Sequence, residues 1–164
     1  MIRGLAFGAA VGLALAGCVH APQCPPLPRM ARDAGLAVLN CHAGQGDKAA
    51  QLALGRRYEA GIGVRRNLKR AAALYAMASR FTPGTVYVYS PGFGNVGGQV
   101  IPVNIGSDQA GLPEAKYRLA LLYLEGRGVR FSIRKGRKLL DQAAEQGHAP
   151  ARAKLEELDR APKA

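Results

Sequence analysis

Residues 58–65, Tyr-Glu-Ala-Gly-Ile-Gly-Val-Arg, return 65 positions later as Tyr-Leu-Glu-Gly-Arg-Gly-Val-Arg at 123–130. The surroundings of the two copies align without a gap. Upstream of each tyrosine, apolar residues recur every four positions: Ala50, Leu54 and Tyr58, then Ala115, Leu119 and Tyr123. Residues four apart share a helix face, so each run reads as a helix, the first over 48–60 with Asp47 as its cap. Gly61 and Gly63, and in the second copy Gly126 and Gly128, end these helices because glycine enters left-handed backbone cheaply. Asn67 and Ser132 then suit N-caps. The second helix buries Leu68, Ala71, Leu74, Tyr75 and Ala78, with Leu139, Ala143 and Ala144 matching Leu74, Ala78 and Ser79. The unit is helix, glycine turn, helix, and the glycines are turn residues rather than a phosphate cradle.

At this point the order Ala50-x-x-x-Leu54-Gly55-x-x-Tyr58-x-x-Gly61-x-Gly63-Val64, followed by Lys69-Arg70-Ala71 and Tyr75-x-x-Ala78, resembles a Sel1-like repeat. The second copy departs at Ala120, where Gly55 sits, and at Gly136, where Ala71 sits. The resemblance covers about 47–80 and 113–148. It implies an all-α, tetratricopeptide-like solenoid of helical hairpins that stack into a right-handed superhelix and act mostly as protein-binding scaffolds. Such a stack needs end pieces, because each repeat buries its face only against a neighbour. Residues 30–43 read as a short capping helix with Leu36 and Leu39. Residues 151–161 read as a closing helix with Leu155 and Leu158, and Pro150 suits its first turn. Six helices are expected in a domain over 29–161.

Residues 1–17 carry one early base, Arg3, then an apolar run ending in Leu15-Ala16-Gly17 before Cys18. The run is too short for a permanent span, which needs about 20 apolar residues, but suits an export signal. Leu-Ala-Gly-Cys resembles the lipobox of bacterial lipoproteins, which implies cleavage before Cys18 and acyl chains on it. Val19, in place of an aspartate, implies the outer membrane of a Gram-negative bacterium, with the domain facing the periplasm. Residues 18–28 hold four prolines and read as a stiff tether. Cys24 and Cys41 then remain as an even pair in an exported chain. That favours a disulfide, worth about 3 kcal/mol by loop closure; free thiols are the alternative. His20 and His42 beside these cysteines match no structural zinc spacing, and no metal or cofactor is expected.

Sel1-like repeats recur about every 36 residues, so the 65-residue spacing implies a long insertion, placed at about 82–110. Thr82 to Ser107 carries no charge. Residues 86–89 and 100–105 favour strands and flank a glycine-, proline- and asparagine-rich turn region, so a β-hairpin or long loop is expected. Pro102 places its strand at an edge. A lone hairpin is marginal in water, so this one should lie against the helices or meet a partner. Its aromatics Phe81, Tyr87, Tyr89 and Phe93 either fasten the insertion to the superhelix or anchor a binding surface. Gly92-x-Gly94-x-x-Gly97 lacks the flanking strand, helix and lysine of a nucleotide loop.

The chain has a net charge of +12, and its bases cluster. Arg65, Arg66, Lys69 and Arg70 surround the start of one second helix, while Arg130, Arg134, Lys135, Arg137 and Lys138 surround the start of the other. Equivalent positions of stacked repeats lie side by side, so a basic ridge is expected. Export argues against nucleic acid as its ligand. An acidic envelope protein, peptidoglycan or another cell-wall polymer, and anionic lipid all fit. Glu59 and Glu125, each just before a glycine turn, read as matched surface charges rather than a general acid and base, and no catalytic constellation stands out. The sequence therefore reads as a non-enzymatic, lipid-anchored periplasmic adaptor that holds a protein through its repeat surface and insert. A cell-wall polymer binder is the alternative, and a cell-wall hydrolase a more distant one.

Overall fold

The computed structural model describes residues 24–160 apart from 30, 32, 33, 92, 93, 95 and 96. Cys18 and Phe93 lie outside the described residues, as does the expected signal over 1–17. The element order is α1 (Leu36–Gly44), α2 (Lys48–Ala60), α3 (Leu68–Ala78), β1 (Thr85–Ser90), β2 (Gln99–Asn104), α4 (Pro113–Glu125), α5 (Ile133–Glu145) and α6 (Ala149–Arg160). The architecture is an all-α helical-hairpin solenoid with a β-hairpin inserted between its two repeats.

Local chemistry sets the helix ends. The Asp47 carboxylate accepts from the Ala50 N–H at 2.8 Å, the Asn67 side chain from Arg70 N at 2.9 Å, and the Ser132 hydroxyl from Lys135 N at 3.3 Å. Each such cap is worth about 1 kcal/mol. Gly61 and Gly126 close α2 and α4 at φ of 79° and 66°, the left-handed region where a Cβ is penalised. The first helix begins at Leu36 rather than near residue 30, because the extended backbone of Gly35 precedes it.

The core forms three layers along the stack. Leu39, Ala43, Ala50 and Leu54 join α1 to α2, with Leu74 of α3 behind them. Ala71, Ala72 and Tyr75 of α3 meet Leu119 and Leu122 of α4. Ala120, Leu140, Ala143 and Ala151 join α4 to α5 and α6. Alanine makes up most of the first and third layers and two of the five buried residues of the middle one, so the helices approach closely. In α5 the largest fully buried side chain is Leu140, with Leu139 partly buried beside it.

The two copies fill the same space differently. In the first, the Tyr75 ring packs against Gly55, and a Cβ at 55 would stand 2.5 Å from it. In the second, Leu140 and Ala120 occupy these positions, and Leu124 leans over Gly136, where a Cβ would stand 2.7 Å from it. The departures from the Sel1-like pattern at Ala120 and Gly136 are thus exchanges of volume between paired helices.

At the N-terminal edge, Cys24 and Cys41 are joined as a disulfide with Cα atoms 5.6 Å apart. The Pro25 carbonyl oxygen lies 2.6 Å from His42 Nε2, and Leu27 packs on the first core layer. Residues 24–28 therefore belong to the domain and do not act as a spacer.

The insertion leaves and rejoins the stack at one neck. Thr82 and Gln109 exchange backbone hydrogen bonds of 2.9 and 2.8 Å, and Leu112 N donates to the Ala78 carbonyl at 3.0 Å. The Lys48 ammonium has three donors, and it places them on the carbonyls of Arg80, Gln109 and Ala110 at 2.8, 2.7 and 3.1 Å. Beyond the neck β1 and β2 pair antiparallel, with Tyr87 opposite Pro102. In a two-stranded ribbon both strands are edges, the place where proline is tolerated.

Gly55→Ala is expected to lower the unfolding free energy by about 1–3 kcal/mol through overpacking against Tyr75. In a Tyr75→Leu background the same change should be neutral or stabilising, since the ring is gone and alanine is the better helix former by about 1 kcal/mol. Urea denaturation of the four proteins measures this coupling, and equal costs in both backgrounds would refute the packing described.

Candidate functional site

The ridge is built from the starts of α3 and α5 and from the turns before them. Arg65, Arg66, Lys69, Arg70, Arg130, Arg134, Lys135 and Lys138 are all exposed. The two clusters are brought together by the second glycine turn, which rides on the first turn of α3: a Cβ at Gly128 would stand 2.5 Å from the Leu68 carbonyl carbon. Lys69 of the first repeat therefore lines one cleft with Tyr123, Arg130, Phe131 and Lys135 of the second. The insertion does not separate them.

Some of these bases have structural work. Arg70 stacks over the Tyr58 ring at 4.7 Å and its equivalent Lys135 over the Tyr123 ring at 5.4 Å, contacts worth about 0.5–1 kcal/mol at exposed sites. Arg66 Nε donates to the Glu59 carbonyl at 3.0 Å, and Arg137 pairs with Asp159. Arg65, Lys69, Arg130, Arg134 and Lys138 have no carboxylate partner among the described residues. Lys69 and Arg130, one from each repeat, share a cleft in which no carboxylate stands among the described residues.

Two apolar residues on this ridge escape sequence reading. Phe131 and Ile133 are more than half exposed and stand where the first repeat has Arg66 and Leu68. Leu68 is covered by the next repeat's glycine turn. Ile133 faces the open end of the stack, where no further turn follows among the described residues. Phe131 also lines the Lys69 cleft, so the ridge combines unpaired cations with an aromatic anchor, the mixture that carries binding energy at protein interfaces.

Glu59 departs from its sequence reading. At the 65-residue offset it stands opposite Leu124, not Glu125, and it is not a simple surface charge. Its Oε2 accepts from the Tyr75 hydroxyl at 2.6 Å and from Arg118 Nη1 at 3.1 Å. Arg118 Nε and Arg56 Nη2 donate to Glu114 Oε1 at 2.6 and 2.8 Å, and His148 Nε2 lies 2.9 Å from Glu114 Oε2. His148 Nδ1 accepts from Ala151 N at 3.2 Å, so Nε2 carries the proton given to Glu114. The chain of bonds crosses α2, α3, α4 and the start of α6, and so ties the repeats together. Burial and the Glu59 carboxylate hold the Tyr75 phenol well above its ordinary range. Burial alone would raise the Glu114 carboxyl, but hydrogen bonds from His148, Arg118 and Arg56 outweigh it and hold the pKa at about 2, against an ordinary 4.5. Glu125 by contrast pairs only with its neighbour Arg127, in the open.

The insert presents its side chains outward. Tyr87 and Tyr89 are 74% and 65% exposed, so these two do not fasten it to the helices. No group of three or more His, Cys, Asp or Glu gathers as a metal site among the described residues.

Stacked helix pairs with an open, charged flank define a tetratricopeptide-like interaction scaffold, a non-catalytic class of fold. The Sel1 repeat model matches both hairpins, over residues 48–80 and 113–148. Among solved structures, a protective antigen present in uropathogenic Escherichia coli strains, displaying an SLR fold, is 27% identical over 67% of this chain and 17% of that one, with a TM-score of 0.48. A Sel1 repeat protein from Oxalobacter formigenes is 26% identical over 69% of this chain and 63% of that one, with a TM-score of 0.47. The chain spans less than two thirds of either. No curated protein matches it.

Glu114→Gln is expected to lower stability at pH 7 by about 2 kcal/mol, because it leaves Arg118 and Arg56 short of a counter-charge. A carboxyl with a depressed pKa stabilises fully above its unfolded value and loses that contribution as pH falls toward the folded one. Wild type and variant should therefore converge between pH 5 and about 2. Denaturation curves that stay equally far apart at pH 2 would contradict the assignment.

Proposed function

We propose that the chain is a lipid-anchored envelope adaptor. Acyl chains on Cys18 hold it to the outer membrane, and an acidic protein partner docks on the ridge in the periplasm. The observation that carries this reading is the continuity of unpaired charge across the repeats, with Lys69 in one cleft with Arg130, Lys135 and Phe131. A partner with carboxylates at the spacing of adjacent repeats would neutralise several cations at once, and an apolar side chain against Phe131 would exclude water from the centre. Such a contact gains its on-rate and specificity from charge and weakens as salt screens it.

The test is co-purification from detergent-solubilised envelopes. A stoichiometric protein partner is expected to elute with rising salt. Lys69→Glu and Arg130→Glu should each reduce its affinity by about tenfold, or 1.4 kcal/mol, while leaving stability within about 0.5 kcal/mol because both sites are exposed. Retention on purified sacculi through the same residues, with no protein recovered, would replace the adaptor with a polymer binder.

A further inference from the structure

The ribbon of β1 and β2 is apolar on both faces. Tyr87, Tyr89 and Val100 project on one side, and Val88, Ile101 and Val103 on the other, as the register dictates; all six are exposed. A hairpin packed on a protein surface buries one face and keeps the other polar. This one has no polar face to turn outward, and Thr82 to Ser107 contains no charge. A medium that is apolar on every side of the ribbon suits it better than a groove.

The second observation is position. His42, against which Pro25 lies and next to the disulfide at Cys41, lines the same cleft as Phe81, Thr82 and Gln109 at the ribbon's neck. The chain toward Cys18 and the ribbon thus start from one edge of the superhelix. Cys24 is six residues from Cys18, which covalent geometry limits to about 20 Å. A six-residue strand spans about 20 Å as well. An anchor at Cys18 therefore keeps Cys24 within about 20 Å of the membrane, and the ribbon leaves the superhelix beside the cleft at that same edge.

We propose that the ribbon of residues 85–90 and 99–104 seats in the headgroup and outer acyl region of the lipid bilayer, as a second membrane contact beside the lipid anchor. This rests on the anchored reading above. Open strand edges exclude the ribbon from the hydrocarbon centre, where backbone groups would go unpaired. Tyrosine belongs at the interface, where its ring is buried and its hydroxyl stays wet. Two contacts restrict how the domain can turn, so the ridge is offered to partners from a set orientation.

The chain has no tryptophan, so Tyr87→Trp supplies a single reporter and Phe131→Trp a control on the ridge. Each full-chain protein is reconstituted into phosphatidylcholine vesicles with brominated acyl chains, which carry no net charge to attract the ridge. The expected result is blue-shifted, strongly quenched emission from the reporter at 87 and red, unquenched emission from the one at 131. Red, unquenched emission from both would overturn the proposal. So would blue-shifted, unquenched emission at 87 with a doubled particle mass, which would assign the ribbon to a second copy. Mass spectrometry of Cys18 tests the anchor separately. If it carries no acyl chains the anchored reading fails, and quenching on adding the protein to the same vesicles still decides the ribbon: present, it stands; absent, it falls.

Discussion

The two repeats can stack only because the chain between them departs and returns at one point. The Ala78 carbonyl and the Leu112 N–H meet across the insertion at 3.0 Å, and Gly111 lies so close to Ser79 that a Cβ would stand 1.9 Å from its carbonyl oxygen. Lys48 completes the closure by placing its whole donor set on the neck. With the neck shut, α4 follows α3 in space as though the intervening residues were absent. The middle core layer of Ala71, Ala72, Tyr75, Leu119 and Leu122 depends on this. So does the ridge, since Lys69 and Arg130 share a cleft only when the second glycine turn rests on α3.

The repeats are alike in backbone and unlike in what ties them. Placing Tyr75 on Gly55 sends a hydroxyl toward the seam, where Glu59 receives it and passes the connection to Arg118 and Glu114. Leu140 has no such group, and its cluster with Ala120, Ala143 and Ala151 in the second copy is apolar. The polar network therefore lies at the junction between repeats, partly buried and nearly balanced in charge, beside the apolar layer of α3 and α4. The unpaired cations lie on the open flank instead. Charge at the seam holds the stack together, and charge on the flank stays exposed.

Much of the fold is legible in the sequence because its signals are local. Asp47, Asn67 and Ser132 cap within one turn, Gly61 and Gly126 stop within one residue, and the four-residue stripes name the buried face. The strand pair is legible for the same reason. The seam is not: Arg56 and Arg118 reach partners 58 and 59 positions away, and which face of α4 meets α3 depends on an insertion whose closure no periodicity reveals. Matching Glu59 with Glu125 fails by one residue because the glycine turn, not the glutamate, sets the register. Phe131 and Ile133 are illegible for a different reason. Ile133 lacks, among the described residues, the glycine turn that covers Leu68, while Phe131 stands where the first repeat already exposes Arg66. The tyrosines of the ribbon are equally ambiguous in sequence, where anchoring inward and projecting outward look the same.

A scaffold of this kind offers three surfaces with separate chemistry: an alanine-lined stack, a cationic flank and an uncharged apolar ribbon. The first must exist for the other two to be placed. Its most direct test is to excise residues 85–104, bridge the neck with two glycines, and follow urea unfolding by circular dichroism with amide exchange in α3 and α4. The expected result is one cooperative transition with the exchange protection of Tyr75, Leu119 and Leu122 retained. Two separate transitions, or loss of protection at those three residues while α2 and α5 stay protected, would show that the repeats do not stack across the insertion.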